Sequence, residues 1–238
     1  MKRICALFLS LTVSAAALSG CGAQSRETAP QVFPDATAIV LSDGGVTVDG
    51  EAASSDETAA VYTAHDIIYY EDGHDFTYGE GTAADAHTAG EAESHTVVHI
   101  TRPGTYALSG TLSAGQIAVD LGEDAEEDPA AVVTLILNGV DITCTVAPAV
   151  IFYNVYECGS ADEDTASETV DTSAAGANVL IADGTINNVT GSYVARIYDP
   201  DSVVLSEDGT EVVDSSKLHK YDGAFYSKMG MNVGGGED

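Results

Sequence analysis

The stretch Thr96–Thr143, TVVHITRPGTYALSGTLSAGQIAVDLGEDAEEDPAAVVTLILNGVDIT, decides the fold class of this chain. Val97–Ile100, Tyr106–Leu108, Gln116–Val119 and Val132–Leu137 are runs of β-branched or aromatic residues, each too short for a helix. Gly104, Gly110, Gly115 and Gly139 stand where the chain must turn between them. The pattern predicts short strands stacked end to end.

The same rhythm extends in both directions. Residues 36–50 read as two short strands around Ser42-Asp43-Gly44-Gly45, and 51–60 as an acidic loop. Residues 61–78 read as a hairpin or the entry to the main domain, and 79–94 as an exposed insertion. Beyond Thr143, strand signals fall at Ala149–Tyr153, Asn178–Ile181, Tyr193–Tyr198 and Val203–Leu205. A long acidic loop, residues 158–177, interrupts them. No stretch beyond the N-terminal leader holds a 3.6-residue apolar period over three turns, so an all-β fold is expected. The residues leave two architectures open. Asn138-Gly139 and Asp183-Gly184 between apolar runs are hairpin signals and favour a sandwich. Val132–Leu137 and Ala149–Phe152 are nearly continuous apolar runs, as in parallel strands covered on both faces.

Residues 1–20, MKRICALFLSLTVSAAALSG, have the basic start, apolar run and small residues of an export signal. Leu18-Ser19-Gly20-Cys21 matches a bacterial lipoprotein cleavage box, which predicts a lipidated Cys21 and a polar tether through residue 36. The membrane would then be met through the lipid anchor only. Cys5 would leave with the signal, so Cys144 and Cys158 remain; an even pair in an exported chain favours a disulfide over two partly buried free thiols. Neither has a second Cys or a His at zinc-ligand spacing.

The chain carries 38 Asp+Glu against 8 Lys+Arg, a formal charge of −30, and loss of Lys2 and Arg3 would deepen it. Such a surface is wrong for nucleic acid, whose phosphates need a basic face. It also repels anionic sugars at short range, so an acidic polymer would need bridging calcium or a local basic patch.

Three segments resemble a known family. They are Ile100-Thr101 with Gly104–Ser113, Gly115–Ile117 and Val119-Asp120; Leu135 with Leu137–Thr143; and Lys217–Lys228. Together they resemble signatures of the carbohydrate-binding β-helix lipoproteins of Clostridia-type bacteria. The resemblance implies a pectate-lyase-like, right-handed, single-stranded parallel β-helix that binds cellulose or acidic sugars such as polygalacturonate with calcium, without cleaving them. It makes Asn138-Gly139 a corner within one coil. It divides the chain into a signal (1–20), a lipidated tether (21–36), an N-terminal β segment with acidic insertions (37–95) and a β-helical carbohydrate-binding domain (96–238). The Gly-rich, polar stop at 234–238 is a poor solenoid cap, so a chain truncated at its C-terminus is expected.

Calcium takes six to eight oxygens, which stacked turns can present in register. Asp120, Asp141, Asp183, Asp199 and Asp201, with Asn187 and Asn188, lie near predicted strand ends and are the candidate ligands. No segment has EF-hand spacing. Sugar rings need aromatic faces, and the chain has no Trp but 11 Tyr. Of these, Tyr153, Tyr156, Tyr193, Tyr198, Tyr221 and Tyr226 fall in the strand-rich half. The preferred carbohydrate contacts are Tyr193, Tyr198, Lys220, Tyr221, Phe225 and Lys228, where the lysines offset local repulsion of an acidic sugar. No catalytic residue is assigned. The alternatives are a calcium-dependent polyuronate lyase, with Arg196 or Lys220 as base, and an adhesive surface protein without a sugar site. Five of the six His lie between His65 and His99, at no recognised metal spacing.

Overall fold

The computed structural model describes residues 31–67, 89–158, 171–192 and much of 196–236. Within these the protein is predominantly β. The strands are β1 Thr37–Leu41, β2 Thr47–Val48, β3 Glu51–Ala52, β4 Val61–Ala64, β5 Thr96–Ile100, β6 Gly104–Leu112, β7 Gly115–Asp120, β8 Val133–Thr143 and β9 Val150–Asn154. They continue with β10 Ala177–Ile181, β11 Asn188–Thr190, β12 Arg196–Tyr198, β13 Val204–Leu205, β14 Val212–Asp214, β15 Leu218–Lys220, β16 Phe225–Ser227 and β17 Asn232–Gly235. Among the described residues the one α-helix is α1, Ala89–Glu93. It forms where the sequence predicts loop, and it is held there because Ala92 is buried in the core.

Two mixed sheets carry the fold. The larger has eight strands in the order β17-β10-β8-β6-β1-β2-β3, with β11 also on β8; the smaller runs β16-β9-β7-β5-β4. In the larger sheet β1, β6, β8, β10 and β17 are mutually parallel, and at one edge the short β2 pairs antiparallel with β1 and the short β3 antiparallel with β2. In the smaller sheet β5, β7, β9 and β16 are parallel and β4 closes the edge antiparallel to β5. From β5 to β10 the chain alternates strand by strand between the sheets, and β16 and β17 repeat the alternation. Each return places a strand beside the previous one of its own sheet.

The two hairpin signals mark something else. β8 runs straight through Asn138-Gly139, and its pairing with β6 slips by one residue there, Leu108 facing Leu137 and Gly110 facing Val140. The slip is a bulge, with Gly139 at φ +84. Asn187 Oδ1 accepts from the N–H groups of both Gly139 and Val140, at 2.8 and 2.9 Å. Asp183-Gly184 links β10 to β11, and both of these lie parallel to β8, on its first and second halves. Neither dipeptide joins antiparallel neighbours. The local turn rule yields because each strand gains a full ladder from strands distant in sequence.

One apolar cluster joins the sheets, with Ile39, Leu108, Leu135 and Ile142 from the larger and Ile100, Ile117, Val119 and Phe152 from the smaller. Phe152 is wholly buried, which is worth about 1.5–3 kcal/mol relative to an exposed side chain. Ala149, Val150, Ile151 and Phe152 are all fully buried, which explains the continuous apolar run there. The far side of the larger sheet is covered at Ala107 and Ile136 by Phe33 and Ala36. That N-terminal segment is pinned by a reciprocal pair: Gln31 N–H donates to Asn138 Oδ1 at 2.9 Å, and Asn138 Nδ2 donates to the Gln31 carbonyl at 2.7 Å.

The expected Cys144–Cys158 disulfide is not formed. Both cysteines are free, Cys144 buried and Cys158 half-buried. Desolvation pushes the Cys144 thiol up to about 11, against the lowering effect of hydrogen bonds from the Val146 and Ala147 backbone.

Candidate functional site

A cleft of about 460 Å³ opens where β7 and β9 end, lined by Asp120, Gly122, Glu123, Glu126, Tyr153 and Asn154. Its shape follows from a second bulge. Val119 faces Phe152, but Asp120 faces Asn154, so Tyr153 is the extra residue on β9. A bulge unpairs one residue and re-aims side chains at a strand end. After Asp120 the chain reverses at Gly122, whose φ of +93 is one that a side chain would strain. A 3-10 turn, Glu123–Glu127, follows and brings its acids over the strand ends. The turn is tied back by Glu157 N–H donating to the Glu126 carbonyl at 3.1 Å.

Asp120 organises the floor. Its Oδ1 accepts from Gly122 N–H at 2.9 Å and from Asn154 Nδ2 at 2.8 Å. These two donors fix the carboxylate, and the second also orients the amide of Asn154, which is only 6% exposed. Among the described residues no donor meets Asp120 Oδ2 or Asn154 Oδ1. The site thus combines fixed oxygen acceptors, exposed Glu123, and the half-buried ring of Tyr153. It can accept hydrogen bonds from a polyhydroxylated ligand and pack a ring against one wall. It carries no cation among its lining residues, and its three carboxylates, Asp120, Glu123 and Glu126, oppose the approach of an anion.

Of the described sequence candidates for calcium, only Asp120 enters this cleft. Asp141 lies exposed on β8, opposite Thr111 and Asn188, and Asp183 is in the exposed turn after β10. Asp199 and Asp201 lie outside the described residues. Among the described residues no three His, Cys, Asp or Glu side chains gather closely enough to hold a metal. Asn187, a further candidate, instead clamps the β8 bulge.

The proposed sugar contacts near the C-terminal end divide similarly. Phe225 packs half-buried against the core, in register with Val150. β12 and β15 pair antiparallel and set Arg196 opposite Lys220 and Tyr198 opposite Leu218. Tyr193, Tyr221, Lys228 and Cys21 lie outside the described residues. Sequence reasoning singled out Asp120 and noted Tyr153 among other tyrosines, but did not join them, and it missed Glu123, Glu126 and Asn154. The signal available was an acidic turn between two apolar runs.

His65, His95 and His99 have structural partners, His65 through Nδ1 at 2.8 Å from the His95 carbonyl. His95 is 1% exposed; its Nδ1 lies 2.9 Å from the Glu91 carbonyl, and its Nε2 accepts from Thr145 N–H at 3.1 Å. His99 stacks on Tyr62, with ring centres 4.4 Å apart, and its Nε2 lies 2.8 Å from Asp66 Oδ1. Burial, and then the charges of Asp66, Glu57 and Asp120, push the Tyr62 hydroxyl above its ordinary range. Among the described residues no helix is long and apolar enough to cross a membrane.

No curated protein and no solved structure matches the chain. A sequence model of one family does, over residues 94–237, which span β5 to β17 and the whole acidic cleft. That match covers more than half of the chain, and on it the protein belongs to the carbohydrate-binding domain-containing protein family.

Proposed function

We propose that this protein is an exported, lipid-anchored surface protein that binds polysaccharide without cleaving it. The family match over residues 94–237 carries this reading, and the acceptor-rich cleft within that span supports it. The strand alternation supports a right-handed parallel solenoid, the hand that parallel crossovers adopt in nearly all known cases. Cys21 is the anchor in this proposal, and the tether shortens to residues 22–30, because Gln31, Phe33 and Ala36 are held on the larger sheet. Cellulose-like chains bind directly; acidic polymers such as polygalacturonate bind through calcium that bridges sugar and protein carboxylates, since the net charge of −30 opposes direct approach.

The deciding measurement is retention of the purified domain on cellulose and on polygalacturonate, with calcium and with chelator. Retention on cellulose in both conditions and on polygalacturonate only with calcium is expected. Failure to bind either polymer in any condition sinks the proposal. Absorbance of an unsaturated uronate product, monitored in the same samples, should stay flat; its rise would make the protein a lyase.

A further inference from the structure

We infer that the Asp120–Tyr153–Asn154 cleft is a subsite for an uncharged sugar ring, recognised through hydroxyl groups that donate to fixed protein oxygens. This inference rests on the polysaccharide-binding reading above and adds a location and a selectivity to it.

The chemistry of the walls is one-sided. Asp120 Oδ1 is occupied by Gly122 N–H and Asn154 Nδ2, and that pairing leaves Asp120 Oδ2 and Asn154 Oδ1 as acceptors. Asn154 is more than nine-tenths buried, so its amide cannot swing out to find water elsewhere. An acceptor held in place this way, on the floor of an open cleft, is complementary to an O–H group. Glu123 and Glu126 add carboxylates on the rim. A pyranose supplies several hydroxyl donors around one ring, together with a C–H face suited to the Tyr153 ring. The volume, about 460 Å³, lies within the roughly 300–1,000 Å³ of small-molecule sites. A uronate replaces one of those hydroxyls with a carboxylate, which meets no cation among the lining residues and faces the carboxylates of Asp120, Glu123 and Glu126. The cleft therefore selects neutral sugars over acidic ones unless a divalent cation is present.

The test is calorimetric titration of the full protein with a cello-oligosaccharide and with an oligogalacturonate, each with chelator. The wild type should bind the first and not the second. Asp120→Asn, Glu123→Gln and Tyr153→Ala should each weaken the neutral ligand by about tenfold or more, since hydrogen bonds to charged groups contribute at about that level. Glu123 is exposed, so its substitution leaves the fold intact, and Tyr153 ring resonances followed by NMR in the wild type report on the cleft without any substitution. Binding of the neutral ligand with no Tyr153 shift and no loss in Glu123→Gln overturns the location while the polysaccharide-binding reading stands. Tighter binding of the oligogalacturonate in chelator overturns the selectivity. If neither ligand nor any polysaccharide binds, both readings fall together.

Discussion

Cys144 shows how one buried group couples stability to pH. In the unfolded chain its thiol titrates near 9.0, while burial holds the native thiol protonated up to about 11. A folded pKa above the unfolded one means the stabilisation is complete below pH 9 and is lost as pH rises through the native value. The loss should reach about 2–3 kcal/mol, from two units at about 1.4 kcal/mol each. Urea midpoints of wild type and Cys144→Ala, compared from pH 8 to 11, should converge with rising pH; a constant gap would refute the linkage. A second residue makes a steric prediction. A Cβ at Gly110 would sit 2.3 Å from the Leu41 carbonyl oxygen, on a backbone at φ +91. Gly110→Ala should therefore cost about 2 kcal/mol or more. Gly45→Ala, at φ +133 but with nothing within 4 Å, should cost only the strain of about 1 kcal/mol. Denaturation of the pair separates contact from conformation.

The clamp on β8 is the element whose removal is most telling. Asn187→Ala would orphan the N–H groups of Gly139 and Val140, at about 1–3 kcal/mol. Amide exchange at those two positions should speed up well beyond that at Leu135, whereas Asn187→Asp, which keeps an acceptor, should restore protection. The clamp also shows where sequence reading stops. The runs Val97–Ile100, Gln116–Val119 and Asn178–Ile181 are legible as strands because their apolar content survives into β5, β7 and β10. Asn138-Gly139 is not legible as a bulge, because what overrides the hairpin rule is the ladder with β6, β10 and β11 on either side. The cleft fails to show for the same reason. Asp120 and Tyr153 stand far apart in sequence, and only the shift from Val119–Phe152 to Asp120–Asn154 brings them to one opening. Counting cysteines likewise says nothing of their surroundings: Cys144, just past β8, is buried, whereas Cys158, beyond β9, is half-buried, and both are free thiols.

At the scale of the molecule the formal charge of −30 on 238 residues governs how ions act. Self-repulsion of this size opposes the compact state, and salt shortens its range to about 8 Å at physiological ionic strength. Raising sodium chloride from about 10 mM to 150 mM should therefore raise the melting temperature by a few degrees. The ion's identity then separates screening from binding. If calcium acts as a bridge to uronate, as proposed, calcium alone should stabilise no more than magnesium at matched ionic strength, because in that role the ion is held only together with the sugar. Calcium with oligogalacturonate should stabilise further, by the linkage between ligand binding and folding, and magnesium with the same oligomer should do so less. Scanning calorimetry across these four mixtures reads the difference directly. A calcium-specific rise without sugar would instead place a resident ion in the protein, and the bridging role would have to be given up.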